Sequence, residues 1–181
     1  VAGDAWTLET TVDGRSAEAA MDDGLRPDVV LRSGVDALAG LHGPTLRTLD
    51  EAPDTLLASW VDEPLAFVAA ACPEATATLD RLATRLRSAL AGRPVVVGWS
   101  HGDPTPGNLF VDETGTVAGI VDWEGARADR LPEVDLLTLV ISVRAAAATR
   151  EVGEVVRDLL DRPWSEEEVA ARDAGPNRDL P

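Results

Sequence analysis

His101-Gly102-Asp103-Pro104-Thr105-Pro106-Gly107-Asn108 separates two apolar runs, and Ile120-Val121-Asp122-Trp123-Glu124 follows shortly after it. Before the loop, Pro94-Val95-Val96-Val97-Gly98-Trp99 is rich in β-branched residues and reads as a strand. After it, Leu109-Phe110-Val111-Asp112 reads as a second strand, Glu113-Thr114-Gly115 as a turn, and Thr116 to Val121 as a third strand. A hairpin returns the chain to where it began, so Asp122 is expected beside the loop. That gathers the carboxylates of Asp103 and Asp122 and the amide oxygen of Asn108. Hard oxygen donors of this kind suit Mg²⁺, above all when substrate phosphates complete its shell. A carboxylate beside such a pocket can accept a proton from an attacking hydroxyl. Taken singly, Asp, Asn, Gly and Pro are ordinary turn residues, and Asp103 or Asp122 alone reads as a turn or a cap. Their order in a strand-loop-strand setting favours a site.

On either side of this β region the sequence is helical. Arg15 to Met21 allows a helical turn. Pro27 suits a first helical position, and Leu31, Val35, Leu38 and Leu41 follow at helical spacing until Gly43-Pro44. Asp54 to Cys72 reads as a helix broken near Pro64. Ala75 to Leu90 reads as an amphipathic helix with Leu79, Leu82, Leu86 and Leu90 in one stripe. Beyond Glu133, Leu136, Leu139, Val140 and Val143 form one apolar face, and Val152, Val155, Val156, Leu159 and Leu160 another. Ser165 with Glu168 has the capping-box spacing and starts a last helix, its Glu166-Glu167-Glu168 run read as solvated; the tail from Gly175 reads as frayed. Ala5 to Val12 reads as a short strand ended by Asp13-Gly14.

Composition narrows the function classes. The chain of 181 residues carries 32 acidic against 16 basic residues, for a net charge of -16. Such a surface repels phosphate backbones and anionic membranes, so neither nucleic acid nor membrane is an expected partner. No stretch approaches the roughly 18 consecutive apolar residues of a spanning helix. Every basic residue is Arg, which removes any mechanism that needs a lysine from this chain. Cys72 is the only cysteine, so no internal disulfide or Cys-cluster metal site can form. It reads as a small core residue in a cytoplasmic protein. His42 reads as a packed helix-end residue, and the Trp residues mostly as core anchors, with lining of the site a lesser alternative for Trp123 beside Asp122.

His101-x-Asp103-x-x-x-x-Asn108 followed by Asp122 resembles the catalytic and metal-binding loops of the aminoglycoside phosphotransferase family. That family groups with choline kinases among protein-kinase-like small-molecule phosphotransferases. Gly107 to Asp112 resembles its "GNLLVD" stretch, Gly119 to Glu124 its "GVIDWE", and Pro132 to Leu136 its "P..DLA" helix start. Leu38 to His42 resembles "LA.LH", and Trp6 to Gly14 is similar to the hinge strand on which adenine docks. There are two departures. Thr105 stands where the family often has a second His. The family's N-terminal lobe, with its phosphate-covering loop and lysine, has no counterpart, and the chain, opening at Val1, reads as a fragment or a trimmed chain.

The resemblance implies an α+β fold: the mainly helical C-terminal lobe of a protein-kinase-like fold, with a small β-hairpin insert carrying the catalytic and metal loops. Residues 1–181 are expected to form one domain, a hinge strand at about 5–12 followed by the catalytic lobe over 15–181. The implied activity is transfer of a phosphoryl group from ATP or another nucleoside triphosphate to a hydroxyl of a small molecule, with Mg²⁺. By the same resemblance Asp103 is the catalytic base, His101 braces its loop, Asn108 and Asp122 hold Mg²⁺, Asp135 buttresses the loop, and backbone groups of Thr10, Thr11 and Val12 bind adenine. The implied partners are a small acceptor, which the net charge would favour as a cation, and the missing N-terminal lobe. The surface facing that lobe is expected to be apolar around Val12 and Leu109. Two alternatives stand beside this reading. One is a kinase-like lobe serving as a non-catalytic binding or scaffolding module. The other is a metal-dependent phosphoesterase with His101, Asp103, Asn108 and Asp122 as ligands.

Overall fold

Two proline-initiated helices frame the protein, whose computed structural model describes residues 11–178. Pro27 opens α2 (Pro27–His42) and Pro132 opens α6 (Pro132–Ala148), each at a position where the missing N–H costs no helical hydrogen bond. They pack face to face at Gly34, where even a methyl group would come within 2.8 Å of Leu139 Cδ2. This close approach buries Val30, Leu38, Leu109, Leu139 and Val140 in one core cluster. The other helices are α1 (Ala17–Asp22), α3 (Asp54–Leu57), α4 (Glu63–Ala71), α5 (Thr76–Leu90), α7 (Val152–Asp161) and α8 (Glu166–Asp173). Among the described residues no helix is long and apolar enough to cross a membrane.

The strands are β1 (Arg15–Ser16), β2 (Arg47–Leu49), β3 (Val95–Ser100), β4 (Leu109–Val111), β5 (Val117–Ile120) and β6 (Arg127–Arg130). Among the described residues they form two three-stranded antiparallel sheets, ordered β1-β4-β5 and β2-β3-β6. The mainly helical α+β class read from the sequence is the one observed. The β region differs in detail. β4 and β5 form the expected hairpin, with Leu109 opposite Ile120. β3 lies in the other sheet, between two short strands that carry arginines and no apolar alternation. Such edge strands leave little periodic signal. The loop between β3 and β4 therefore bridges the two sheets, and the turn between β5 and β6 crosses back beside it.

Other expectations are corrected. The break near Pro64 is a π-helical segment at Ala58–Asp62, just ahead of the proline, whose ring and missing N–H disrupt the preceding turn. The leucine stripe of α5 is buried only at Leu90; Leu82 and Leu86 remain exposed, as does Phe67 on α4. Cys72 is exposed at the end of α4 and not in the core. Trp99 and Trp123 are half-exposed, so they do not anchor the core. Leu109 is fully buried under α2 and α6, which removes it from any apolar outer surface. The Ser165–Glu168 capping box forms as read, but Glu168 is buried and paired with Arg144. The tail is tied down at Asn177, which bonds to Val96 and Glu133. Residues 5–10 of the expected hinge strand lie outside the described residues. Thr11 and Val12 are not in a strand, and among the described residues the first pairing is Arg15 with Val111.

Candidate active site

Asp135, on the first turn of α6, is fully buried and accepts four hydrogen bonds. Its Oδ1 takes Ser100 Oγ at 2.7 Å and Gly102 N at 2.9 Å; its Oδ2 takes His101 N at 2.7 Å and His42 Nε2 at 3.0 Å. Burial alone would raise the carboxyl's pKa, but these four donors outweigh it and hold Asp135 below the ordinary value of 3.8. A buried carboxylate so completely satisfied fixes the path of every backbone group it touches. Four elements converge on it: the end of α2 through His42, the end of β3, the start of the loop, and α6 itself. His42 is thus the buried helix-end residue the sequence suggested.

The loop that begins at His101 is locked from inside. The His101 ring is completely buried; its Nδ1 accepts from Asp103 N at 3.3 Å, so its Nε2 carries the proton donated to Val121 O at 2.9 Å. That second bond reaches the chain just before Asp122. Trp123 meets the same imidazole edge to face, with ring centroids 4.7 Å apart, while its indole N–H bonds to Ile120 O. Gly102 adopts φ +89° and passes so close to Gly125 that no side chain fits between them.

Asp103 and Asn108 close the loop. Asn108 Nδ2 donates to Asp103 O at 2.9 Å and to Asp103 Oδ2 at 3.0 Å. Asn108 O accepts from Val121 N at 3.0 Å, which brings the neighbouring Asp122 alongside. Asp122 itself holds φ 63° and ψ 64°, a left-handed conformation uncommon outside glycine and typical of functional turns. Asp103 and Asp122 are both exposed. The structure thus brings His101, Asp103, Asn108 and Asp122 together, as the hairpin argument required.

With the Asn108 amide nitrogen committed to Asp103, its oxygen is the group left for a cation, and the backbone bond from Val121 N to Asn108 O sets Asp122 one residue away along the chain. Among the described residues no three His, Cys, Asp or Glu side chains form a metal-binding group. A cation here would take two protein oxygens and fill its shell with phosphate or water oxygens, the habit of Mg²⁺. The phosphoesterase arrangement is not met, because both nitrogens of buried His101 are engaged within the protein. Val12 lies against β5, where a methyl on Gly119 would come within 2.5 Å of its Cγ1, so this segment runs beside the strand that leads to Asp122. Thr11 is exposed, and Thr10 lies outside the described residues. An open cleft of about 950 Å³ flanks the loop at Thr105–Gly107, with Glu18, Asp22 and Glu151 among its walls. Its two arginines, Arg26 and Arg150, are paired with Asp28 and with Glu154 and Asp158. Sequence reasoning missed Ser100, Gly102 and Gly125. Two glycines, one on each loop, were the available signal.

Among solved structures the chain is similar to an aminoglycoside-3'-phosphotransferase of type VIII, at 20% identity and a TM-score of 0.47. The match covers 91% of this chain and 65% of that one, so this chain spans less than two thirds of its length. No curated protein matches. The model of one protein family, described as the phosphotransferase enzyme family, matches residues 1–172, nearly the whole chain, and this protein belongs to that family.

Proposed function

We propose that this chain is the catalytic lobe of an ATP- and Mg²⁺-dependent phosphotransferase acting on a hydroxyl group of a small molecule. The observation that carries this reading is the bond from Asn108 Nδ2 to the Asp103 carboxylate. It holds a base and a cation ligand at a fixed spacing, with Asp122 delivered beside them by β5. In this scheme Asp103 orients the acceptor hydroxyl. It takes the proton as the acceptor oxygen bonds to phosphorus and the bond to the diphosphate leaving group breaks. Asn108 Oδ1 and the Asp122 carboxylate hold Mg²⁺, which when bound neutralises charge on the phosphates. His101 and Asp135 keep the loop in place and touch no substrate. Backbone groups of Thr10, Thr11 and Val12 receive the adenine ring, and the phosphate-covering lobe that accompanies such domains is the proposed partner.

The acceptor is proposed to be a small cation bearing a hydroxyl, of aminoglycoside or amino-alcohol type. The net charge of -16 raises the local concentration of cations. The cleft beside Thr105–Gly107 exposes carboxylates while its arginines are already paired. A cytoplasmic setting suits an ATP-dependent enzyme with a free exposed thiol. No observation in the site favours a non-catalytic binding module, which would not need Asp103, Asn108 and Asp122 held in this register.

Calorimetric titration with ATP, with and without Mg²⁺, tests the reading, with Asp122→Ala as control. Mg²⁺-dependent binding that disappears in the variant is the expected result. Equal binding in all conditions, or consumption of ATP insensitive to Asp103→Ala when a cationic acceptor is supplied, would overturn it.

A further inference from the structure

We propose that Asn177 is a positioning residue for the candidate active site, acting through β3 and α6. β3 pairs with β6 at Gly98 and Arg130. Two residues further along that ladder Val96 would face Pro132, which has no N–H and has already turned into α6. Asn177 supplies the missing partner with its side chain: Oδ1 accepts from Val96 N at 2.7 Å and Nδ2 donates to Val96 O at 2.8 Å. The same residue grips the first turn of α6, its backbone N donating to Glu133 Oε1 at 2.6 Å and its Nδ2 to Glu133 Oε2 at 2.9 Å. Gly175 makes this approach possible, because a methyl there would lie 2.5 Å from Glu133 Oε1.

Glu133 and Val96 belong to the two elements that Asp135 joins at Ser100, His101 and Gly102. Asn177 ties the same pair a second time, farther from the loop. With both ties in place β3 and α6 cannot slide or splay, and the backbone donors facing Asp135 keep their spacing. Gly175 and Pro176 also wall, together with His42 and Leu136, a cavity of about 150 Å³, so the tail shares a wall with one of the donors to Asp135. Asn177 lies beyond the residues matched by the family model. The inference rests on the proposed function only in naming the loop that is positioned.

The chain has two histidines, His42 and His101, and both bond to Asp135, one through its ring and one through its backbone. Nitrogen-proton correlation spectra of the two imidazoles therefore report on the cluster without nucleotide or acceptor. In the full chain, Asn177→Ala is expected to shift both ring signals and to mix the His101 tautomers. Gly175→Val, which displaces Glu133, is expected to do the same. Where phosphotransfer is measurable, Asn177→Ala should lower kcat roughly tenfold with KM for ATP changed less than about twofold. If Asn177→Ala does not fold, Asn177→Ser, which keeps a shorter donor and acceptor, is read in its place. Wild-type imidazole spectra in whichever variant folds, even with a lowered melting temperature, would show a structural tie only and overturn the proposal. Shifted spectra in a protein that transfers no phosphate would retain the tie and reject the reaction.

Discussion

Gly102 and Gly125 meet backbone to backbone: a methyl group on Gly102 would lie 2.5 Å from the Gly125 carbonyl oxygen. Gly102 also sits at φ +89°, so the loop bearing Asp103 and the turn after Asp122 are joined at a point that tolerates no side chain. Gly102→Ala is expected to cost about 1–2 kcal/mol for the positive φ alone, and more because the colliding atoms are backbone. For a chain of this size, a total of about 2–3 kcal/mol lowers the melting temperature by roughly 4–12 °C. Thermal unfolding followed by circular dichroism measures it. A variant melting like the wild type would mean that the two loops are not in contact here.

Asp135 predicts a signed pH dependence. Its folded pKa is depressed despite burial, because His42, Ser100, Gly102 and His101 all donate to it. Its contribution to stability is therefore present above the unfolded value near 3.8 and is lost as pH falls from there towards the folded value. Asp135→Asn keeps the shape but turns an N–H₂ group towards donors, and is expected to cost about 3 kcal/mol at pH 7. Many other carboxylates titrate in the same range, so the difference between the two proteins is the informative quantity. That difference should shrink as pH drops below about 4. A gap that stays constant between pH 7 and pH 3 would show that Asp135 is not a depressed carboxylate.

The sequence made the helices and the course of the loop legible for specific reasons. Pro27 and Pro132 mark helix starts, the Ser165–Glu168 spacing marks a cap, and the β4–β5 hairpin is bounded by Asp112 and Gly115. The hairpin also determined that Asp122 returns to Asn108. What remained hidden depends on long-range partners. β2 and β6 are short and charged and exist because β3 lies between them. Cys72 and the Leu82–Leu86 stripe looked like core because pattern reports amphipathicity but not what lies opposite. Asn177 looked like frayed tail, because nothing local says that Val96, paired with Thr48 of β2 on one side, has no strand partner on the other.

Asp103 should separate turnover from stability. It is exposed, and its carboxylate accepts one side-chain hydrogen bond, from Asn108. Asp103→Ala should leave the unfolding free energy within about 0.5 kcal/mol of wild type. Phosphotransfer to a cationic acceptor should fall by about 10²-fold or more once the base is gone. Equilibrium denaturation and steady-state kinetics on the same preparation check both halves. Turnover within a few-fold of wild type would remove Asp103 from the role of base.

Asp122 should trade stability against ligand binding in the opposite direction from most substitutions. Its left-handed backbone, φ 63° and ψ 64°, carries a penalty that glycine does not incur. Relieving that strain favours the folded state by about 1 kcal/mol. Glycine also gives the unfolded chain more freedom, which takes back part of this gain. Asp122→Gly is therefore expected to melt at or slightly above the wild-type temperature while losing the carboxylate proposed to hold Mg²⁺. Asp122→Ala, which keeps the strain and loses the same carboxylate, should melt lower than Asp122→Gly. Calorimetry should show both variants equally unable to bind ATP in a Mg²⁺-dependent way. A strained exposed aspartate whose replacement by glycine raises stability and abolishes Mg²⁺-dependent binding would be one whose carboxylate serves the ligand. Should Asp122→Gly instead melt well below wild type, the carboxylate would be a structural cap, and the cation would have to be sought elsewhere.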